Sequence, residues 1–445
     1  MSRACAVGGH YPVVVVGGGQ AGLSASYCLR ERAIEHVVLE SHQVAHDWRS
    51  RRWDSFCLVT PNWQCSLPGF PYRGADPHGF MVRDEIVAYL EDYKTASDPP
   101  LAEGVQVTRL RRTDKGLFHL DTTAGELTAD QVVVATGAYH EPSMPRIAER
   151  LPGTVRQLHS ADYRNADALP VGAVLVVGSG QSGAQIAEDL HLAGRQVHLA
   201  VGDAPRVARF YRGRDCVAWL ADMGYYAKTI DEFHDPELVR KRVNHYVTGR
   251  DGGRDIDLRS FARDGMRLHG RLLDIDGANA VFADDLERNL DSADAVAESI
   301  KDSIDTYIEE RGIDAPREER YVPVWRPDPA QGGRLDLSAA GVTSVIWATG
   351  FRSDYRWIEV PVFDGRGYPT HWRGVTSAPG LYFLGLPWQH TWGSGRMEAV
   401  GKDAEHLAER IVSYSPLRPG ARPVHSSNDI CGALTGSATT ASLAC

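Results

Sequence analysis

The sequence predicts an α/β protein built from two Rossmann-like, doubly wound dinucleotide-binding units, and three observations carry that reading. A glycine-rich turn between a short apolar run and a helix-forming stretch occurs twice, at residues 17–22 and 178–183. Each copy is followed by a second strand-like stretch, His36 to Glu40 and Gln196 to Val201. Each is answered further along by an apolar run that ends in Ala-Thr-Gly, at 135–137 and 348–350. A chain of 445 residues exceeds what one hydrophobic core organises, so two or three domains are expected.

In the first copy, Pro12-Val-Val-Val-Val16 reads as a buried strand, Gly17-Gly18-Gly19-Gln20-Ala21-Gly22 as the turn, and Leu23 to Arg32 as the helix. Gly17 permits the tight turn, Gly19 lets a pyrophosphate approach the backbone, and Gly22 lets helix and strand pack closely. The helix N-terminus, where Gln20 and Ala21 stand, supplies N–H donors and a positive dipole end. Glu40 ends the next strand, where a carboxylate accepts hydrogen bonds from ribose hydroxyls.

The second copy runs Ala173-Val-Leu-Val-Val177, then Gly178-Ser179-Gly180-Gln181-Ser182-Gly183, then a helix from Ala184 to Leu192. No acid ends its second strand; the chain continues Leu199-Ala-Val-Gly-Asp-Ala-Pro-Arg206, with Arg209 and Arg212 close behind. A missing carboxylate and nearby guanidinium groups suit a 2′-phosphate, which favours NADPH over NADH, although Asp203 argues the other way. The alternative leaves these arginines solvated or facing substrate. Two dinucleotide folds call for two cofactors, and FAD with a nicotinamide is the economical pair.

The division expected is an FAD-binding unit at 10–165 and 335–412, an NADPH-binding unit at 166–334 with an insertion over 206–334, and a disordered tail at 416–445 rich in Pro, Gly, Ser, Thr and Ala. In the insertion, Leu286, Leu290, Ala293, Ala297, Ile300, Ile304 and Tyr307 recur at helical spacing between Asp284 and Arg311, ahead of Gly312 as C-cap. That stripe is expected to pack on its own domain, with a homodimer seam as the alternative.

A net charge of −10 gives no overall support for nucleic-acid binding. No apolar run approaches the roughly 18 residues of a membrane span, and Val13 to Val16 is too short for a secretory signal core. Seven cysteines at irregular spacing, without a C-x-x-C pair, favour reduced thiols and a cytoplasmic location. No metal cluster is evident.

The order of these motifs, GGGQAG at 17–22, ATG at 135–137, GSGQSG at 178–183 and ATGF at 348–351, resembles the class B flavin-dependent monooxygenases. So does Leu158-His-Ser-Ala-Asp-Tyr-Arg164, whose His159, Ser160 and Tyr163 match the family segment that joins its two nucleotide domains. The resemblance spans about residues 10 to 412. The segment departs from the family motif in that Leu151 stands where Phe is usual and five residues rather than three separate Gly153 from His159; the Trp-Pro of the Baeyer–Villiger form is absent, which puts flavin-containing and N-hydroxylating relatives ahead.

The resemblance implies FAD and NADPH as cofactors and O2 with a small nucleophile as substrates. Oxygen is then transferred from a flavin hydroperoxide, most readily to the nitrogen of an amine or amino acid, in some relatives onward to a nitro product. S-oxygenation or Baeyer–Villiger oxidation is the alternative. By the same resemblance Trp48 and Arg49 lie beside the flavin, and Ala135, Thr136, Gly137, Thr349 and Gly350 line the nucleotides. Asn62, with Gln64 second, falls where relatives stabilise the oxygenated flavin, and His390 with Trp388 lies between a strand and the helix that relatives aim at the flavin ring. Arginines at 209–214 and 250–254 would suit a substrate carboxylate if they face the pocket. A disulfide reductase sharing the two-fold plan would need a cysteine pair, and Cys57 and Cys65 are spaced too widely for it. A third reading is a non-catalytic FAD-binding or partner-binding protein that retains the fold alone.

Overall fold

Val13 to Val16 and Ala173 to Val177 are buried, as β-branched runs covered on both faces must be. Each is an inner strand with a parallel neighbour on both sides in the computed structural model, which describes residues 9–241, 243–328 and 333–414. The expected tail at 416–445 lies outside the described residues.

In the first sheet, of nine strands, Gly9–Val16 lies between His36–Glu40 and Gly125–Val134, parallel to both, with Val14 opposite Val37 and Val132. Leu101–Glu103 and Leu381–Phe383 extend it on the two sides. The outer half of Gly125–Val134 instead carries an antiparallel hairpin, Val107–Arg112 with Phe118–Thr122. Leu23 and Leu29 of helix Gln20–Glu31 share one core with Val400, Leu407 and Ile411 of helix Val400–Ser413. Tyr355, Ile358 and Val362 close the opposite face over Val14 and Val16.

The second sheet has five parallel strands in the order Arg156–His159, Val342–Trp347, Ala173–Val177, Val197–Ala200 and Arg267–His269. This corrects the expected division of the chain. Arg156–His159 and Val342–Trp347 fall within the bounds expected for the first unit, yet their hydrogen bonds put both in the second sheet. The reason is that each Ala-Thr-Gly closes its own glycine turn: Ala135 N donates to Val16 O at 2.8 Å, and Ala348 N to Val177 O at 2.9 Å.

The insertion contributes a helix, Leu286–Arg311, ended by Gly312 at φ +59°, as its periodicity predicts. Ile300, Ile304 and Ile308 pack against Tyr211, Cys216 and Trp219 of the same insertion, so the stripe is covered by its own chain. Ile304→Ala is expected to cost about 2 to 5 kcal/mol in denaturant unfolding with no change in sedimentation; a change in mass with little loss of stability would mark a seam instead.

Candidate functional site

The two glycine turns have the same geometry. Gly17 and Gly178 adopt φ +105° and +102°, and a Cβ on either would lie 2.6 or 2.7 Å from the carbonyl oxygen of Ala135 or Ala348. A Cβ on Gly22 would lie 1.8 Å from Gly17 O, and one on Gly183 1.9 Å from Gly178 O, so each helix sits on its turn at a distance only glycine allows. At Gly19 nothing stands within 4 Å, and at Gly180 only Val243 Cγ1 at 3.5 Å. Neither helix N-cap carries a side-chain hydrogen bond, which leaves first-turn N–H groups for an anion.

Loops following three neighbouring strands of the first sheet converge on the first turn. Gln20 Nε2 donates to Gly395 O at 3.1 Å, and a Cβ on Gly385 would lie 2.8 Å from Ala21 Cβ. In these loops Thr136 Oγ1, Gln389 Nε2 and Glu398 Oε2 are buried without a hydrogen-bond partner among the described residues. Gln64, 2% exposed, has both amide atoms in that state. Buried polar atoms left unpaired cost stability, and Thr136, whose Cα would lie 3.2 Å from a Cβ on Gly17, carries such an atom beside the open cradle, which fits a polar-edged dinucleotide such as FAD.

Glu40 Oε2 accepts Gly18 N at 2.7 Å and Oε1 accepts His42 N at 2.9 Å, which holds the carboxylate against the turn. Trp48 is half-buried under the Arg52 guanidinium at 5.0 Å. Arg49 is taken up elsewhere: it pairs with Glu91 and donates to Val44 O at 2.6 Å. Asn62 and Gln64 exchange the order expected of them. Asn62 Nδ2 donates to Asp76 O and its Oδ1 accepts Met81 N, both at 2.9 Å, so it braces the loop over 76–81 as a turn residue does. Gln64 is the one with amide atoms to spare.

At the second turn, Gln181 Nε2 donates to Val247 O at 2.7 Å and so fixes the insertion against the helix N-terminus. Ser182, Thr349 and Gly350 are exposed beside it. His159 Nε2 lies 2.9 Å from Gly350 O and its Nδ1 accepts Ala161 N, which sets the tautomer with the proton on Nε2. Tyr163 donates to Asp189 Oδ2 at 2.7 Å, and Asp189 also takes Ser55 and Arg250, tying three segments together. Sequence reasoning missed Asp189, because no motif contains it.

The insertion arginines singled out by the sequence pair with acids of the chain itself. Arg206, 3% exposed, pairs with Asp294 at 2.6 Å beneath the Tyr321 ring; Arg209 grips Asp215 with 2.6 Å contacts; Arg212 pairs with Asp305 at 3.0 Å. Arg250 and Arg254 pair with Asp189 and Glu188 at 2.8 and 2.7 Å. A buried guanidinium requires such a carboxylate; Asp294, Asp305, Asp189 and Glu188 come from helices distant in sequence, and Asp215 from six residues along the chain. The expectation that Arg206 and its neighbours receive a 2′-phosphate, or that the arginines at 209–214 and 250–254 receive a substrate acid, is therefore corrected.

His390 is half-buried, and burial lowers its pKa, which favours the neutral imidazole. Its carbonyl accepts Ile230 N at 2.7 Å, joining the loop at 387–392 to the insertion. Cys57 and Cys65 are free, and burial pushes both thiols up to about 12, which removes the thiolate a redox pair needs. His119 lies between Asp121 and Glu126, each 3.1 Å from a different ring nitrogen, so one metal ion could not use both contacts.

Gln64→Met is expected to leave the flavin-free protein as stable as the wild type while weakening FAD about tenfold, because it removes only unpaired atoms. Asn62→Ala is expected to do the reverse, lowering stability by about 2 kcal/mol through lost loop bracing. Matched unfolding curves and flavin titrations decide. Arg206→Gln is expected to destabilise by about 3 kcal/mol with an unchanged NADPH-to-NADH preference; a changed preference would return Arg206 to the nucleotide.

A family described as pyridine nucleotide-disulphide oxidoreductase matches residues 14–220. An uncharacterized oxidoreductase CzcO-like of Geobacillus kaustophilus is 34% identical over 406 residues, 90% of this chain and 98% of the relative. The indole-3-pyruvate monooxygenase YUCCA6 of Arabidopsis thaliana is 32% identical over 214 residues, 46% of this chain and 50% of that protein. The solved flavin-containing monooxygenase of Stenotrophomonas maltophilia superposes with a TM-score of 0.63 at 20% identity, covering 91% of this chain and 99% of its own. The chain has the α/β fold of the flavin monooxygenases and belongs to the CzcO-like family of oxidoreductases.

Proposed function

We propose that the protein is an FAD-dependent monooxygenase that uses NADPH and O2 to oxygenate a small nucleophile, with the nitrogen of an amine or amino acid as the favoured atom. The observation that carries the reading is the pair of open glycine cradles on one chain, with the buried, unpaired Thr136 Oγ1 beside the first. Similarity over part of the chain to a protein named a monooxygenase supports the reaction class.

FAD, when bound, supplies two-electron transfer from the nicotinamide and activation of oxygen. The chain's own work is positioning. The N–H groups of the first helical turn and the bare Gly19 hold the pyrophosphate, Glu40 receives ribose hydroxyls, and Thr136 and Gln64 offer hydrogen bonds to polar edges. Gly180 and the N-terminus of Gln181–Leu192 do the same for NADPH. His390, whose burial favours the neutral form, forms a wall with Trp388, and the Ile230 N–H bond to its carbonyl ties that wall to the insertion. Oxygen transfer to a nucleophile needs little acid–base machinery, in keeping with buried, inert thiols and a histidine that burial favours as neutral. The four cysteines described are free and buried, which supports a cytoplasmic location, and no described helix is long and apolar enough to cross a membrane.

Under labelled O2 with NADPH and a panel of amines, amino acids and thioethers, one labelled oxygen is expected in the product for each NADPH oxidised. Label arriving from water, or hydrogen peroxide as the sole product across the panel, would overturn the reading.

A further inference from the structure

Arg396 differs from the arginines of the insertion. It makes no ion pair with any described residue, although it is half-buried. Its guanidinium carbon lies 3.5 Å from the centroid of the Trp392 ring, which orients the plane and leaves the donor edges open. One of those donors, Nη2, reaches Asn244 Oδ1 at 3.0 Å. The neighbouring acid, Glu398, has a buried and unpaired Oε2, and burial raises its pKa, which weakens its competition for the guanidinium.

The position is as informative as the missing partner. Gly395, next to Arg396, is bonded to Gln20 of the first glycine turn. Val243, next to Asn244, is the side chain a Cβ on Gly180 of the second turn would meet. Arg396 thus stands beside chain segments that touch each of the two glycine turns. The adjoining wall is aromatic: Trp392 lies 4.7 Å from Tyr226, which in turn meets Tyr225 edge-on.

We propose that Arg396 is the carboxylate anchor of this site and that the substrate is a small organic acid with an apolar or aromatic body lying along Trp392 and Tyr226. The assignment rests on the monooxygenase reading for what happens to the acid, and on geometry alone for the acid itself. A guanidinium stacked on an indole, with open edges and no resident carboxylate, is built to fork onto a planar anion. The fixed stack also means that little side-chain order remains to be imposed when the acid arrives.

The probe pair is phenylacetate and its neutral isostere phenylacetamide, measured by equilibrium titration and thermal shift on the flavin-loaded chain with NADP+ present. The wild type is expected to hold the acid about tenfold or more tightly than the amide, Arg396→Gln to abolish the difference, and Arg396→Lys to keep part of it. Flavin content and NADP+ affinity should be unchanged in both variants. Equal binding of acid and amide to the wild type, a preference that survives in Arg396→Gln, or a loss of NADP+ affinity in its place would each overturn the assignment. Should Arg396→Gln fail to fold, the wild-type comparison and the lysine variant still decide. Acid preference without any oxygenated product would remove the reaction and support the anchor.

Discussion

The structure depends on one contact made twice: the first turn of a helix set down on the carbonyl of the glycine that ends a strand. At Gly22 over Gly17 and at Gly183 over Gly178, a single Cβ would come within 2 Å of that oxygen. Without the contact the helix could not aim its free N–H groups along the sheet edge, and no cradle would form. Everything else assigned to the site, from Glu40 folded on Gly18 to Gln20 reaching Gly395, is arranged around those turns.

Charge is distributed on a second principle. The insertion is held down by buried arginine–carboxylate pairs, Arg206 and Arg259 sharing Asp294 and Arg209 closed on Asp215, each stable because the partner is present. Such pairs hold the insertion over the second sheet and occupy Arg206, Arg209 and Arg259. Arg396, by contrast, has an amide and no carboxylate as its partner among the described residues, and it stands beside segments that touch both turns. Asp189 plays the corresponding joining role, since it receives Tyr163, Ser55 and Arg250 from three separate parts of the chain.

The parts of the fold legible in the sequence are those whose signal is local. A β-branched run, a glycine turn and an amphipathic helix each announce themselves within about a dozen residues, so both nucleotide units and the long helix Leu286–Arg311 could be read directly. Strand order is a non-local property, which is why Arg156–His159 and Val342–Trp347 could be placed beside the wrong sheet. The same limit governs the site. Arg206 and Arg209 look alike as free cations until Asp294 and Asp215 are brought to them, and Asn62 outranks Gln64 until the backbone of Asp76 and Met81 claims it. Arg396 carries no motif at all; its signal is the lack of a carboxylate partner among the described residues, which only three dimensions reveal.

The central claim is that two dinucleotides meet on one chain, one at each turn. It is tested most directly by adding NADPH to the flavin-loaded protein without air and following the visible flavin absorbance, in the wild type and in Gly180→Ala. A Cβ at Gly180 meets only Val243 Cγ1 at 3.5 Å, so the variant should fold and keep its flavin, yet obstruct the second pyrophosphate. Rapid bleaching in the wild type that is slowed strongly in the variant is the predicted result; bleaching indifferent to Gly180, or absent in both, would contradict the account.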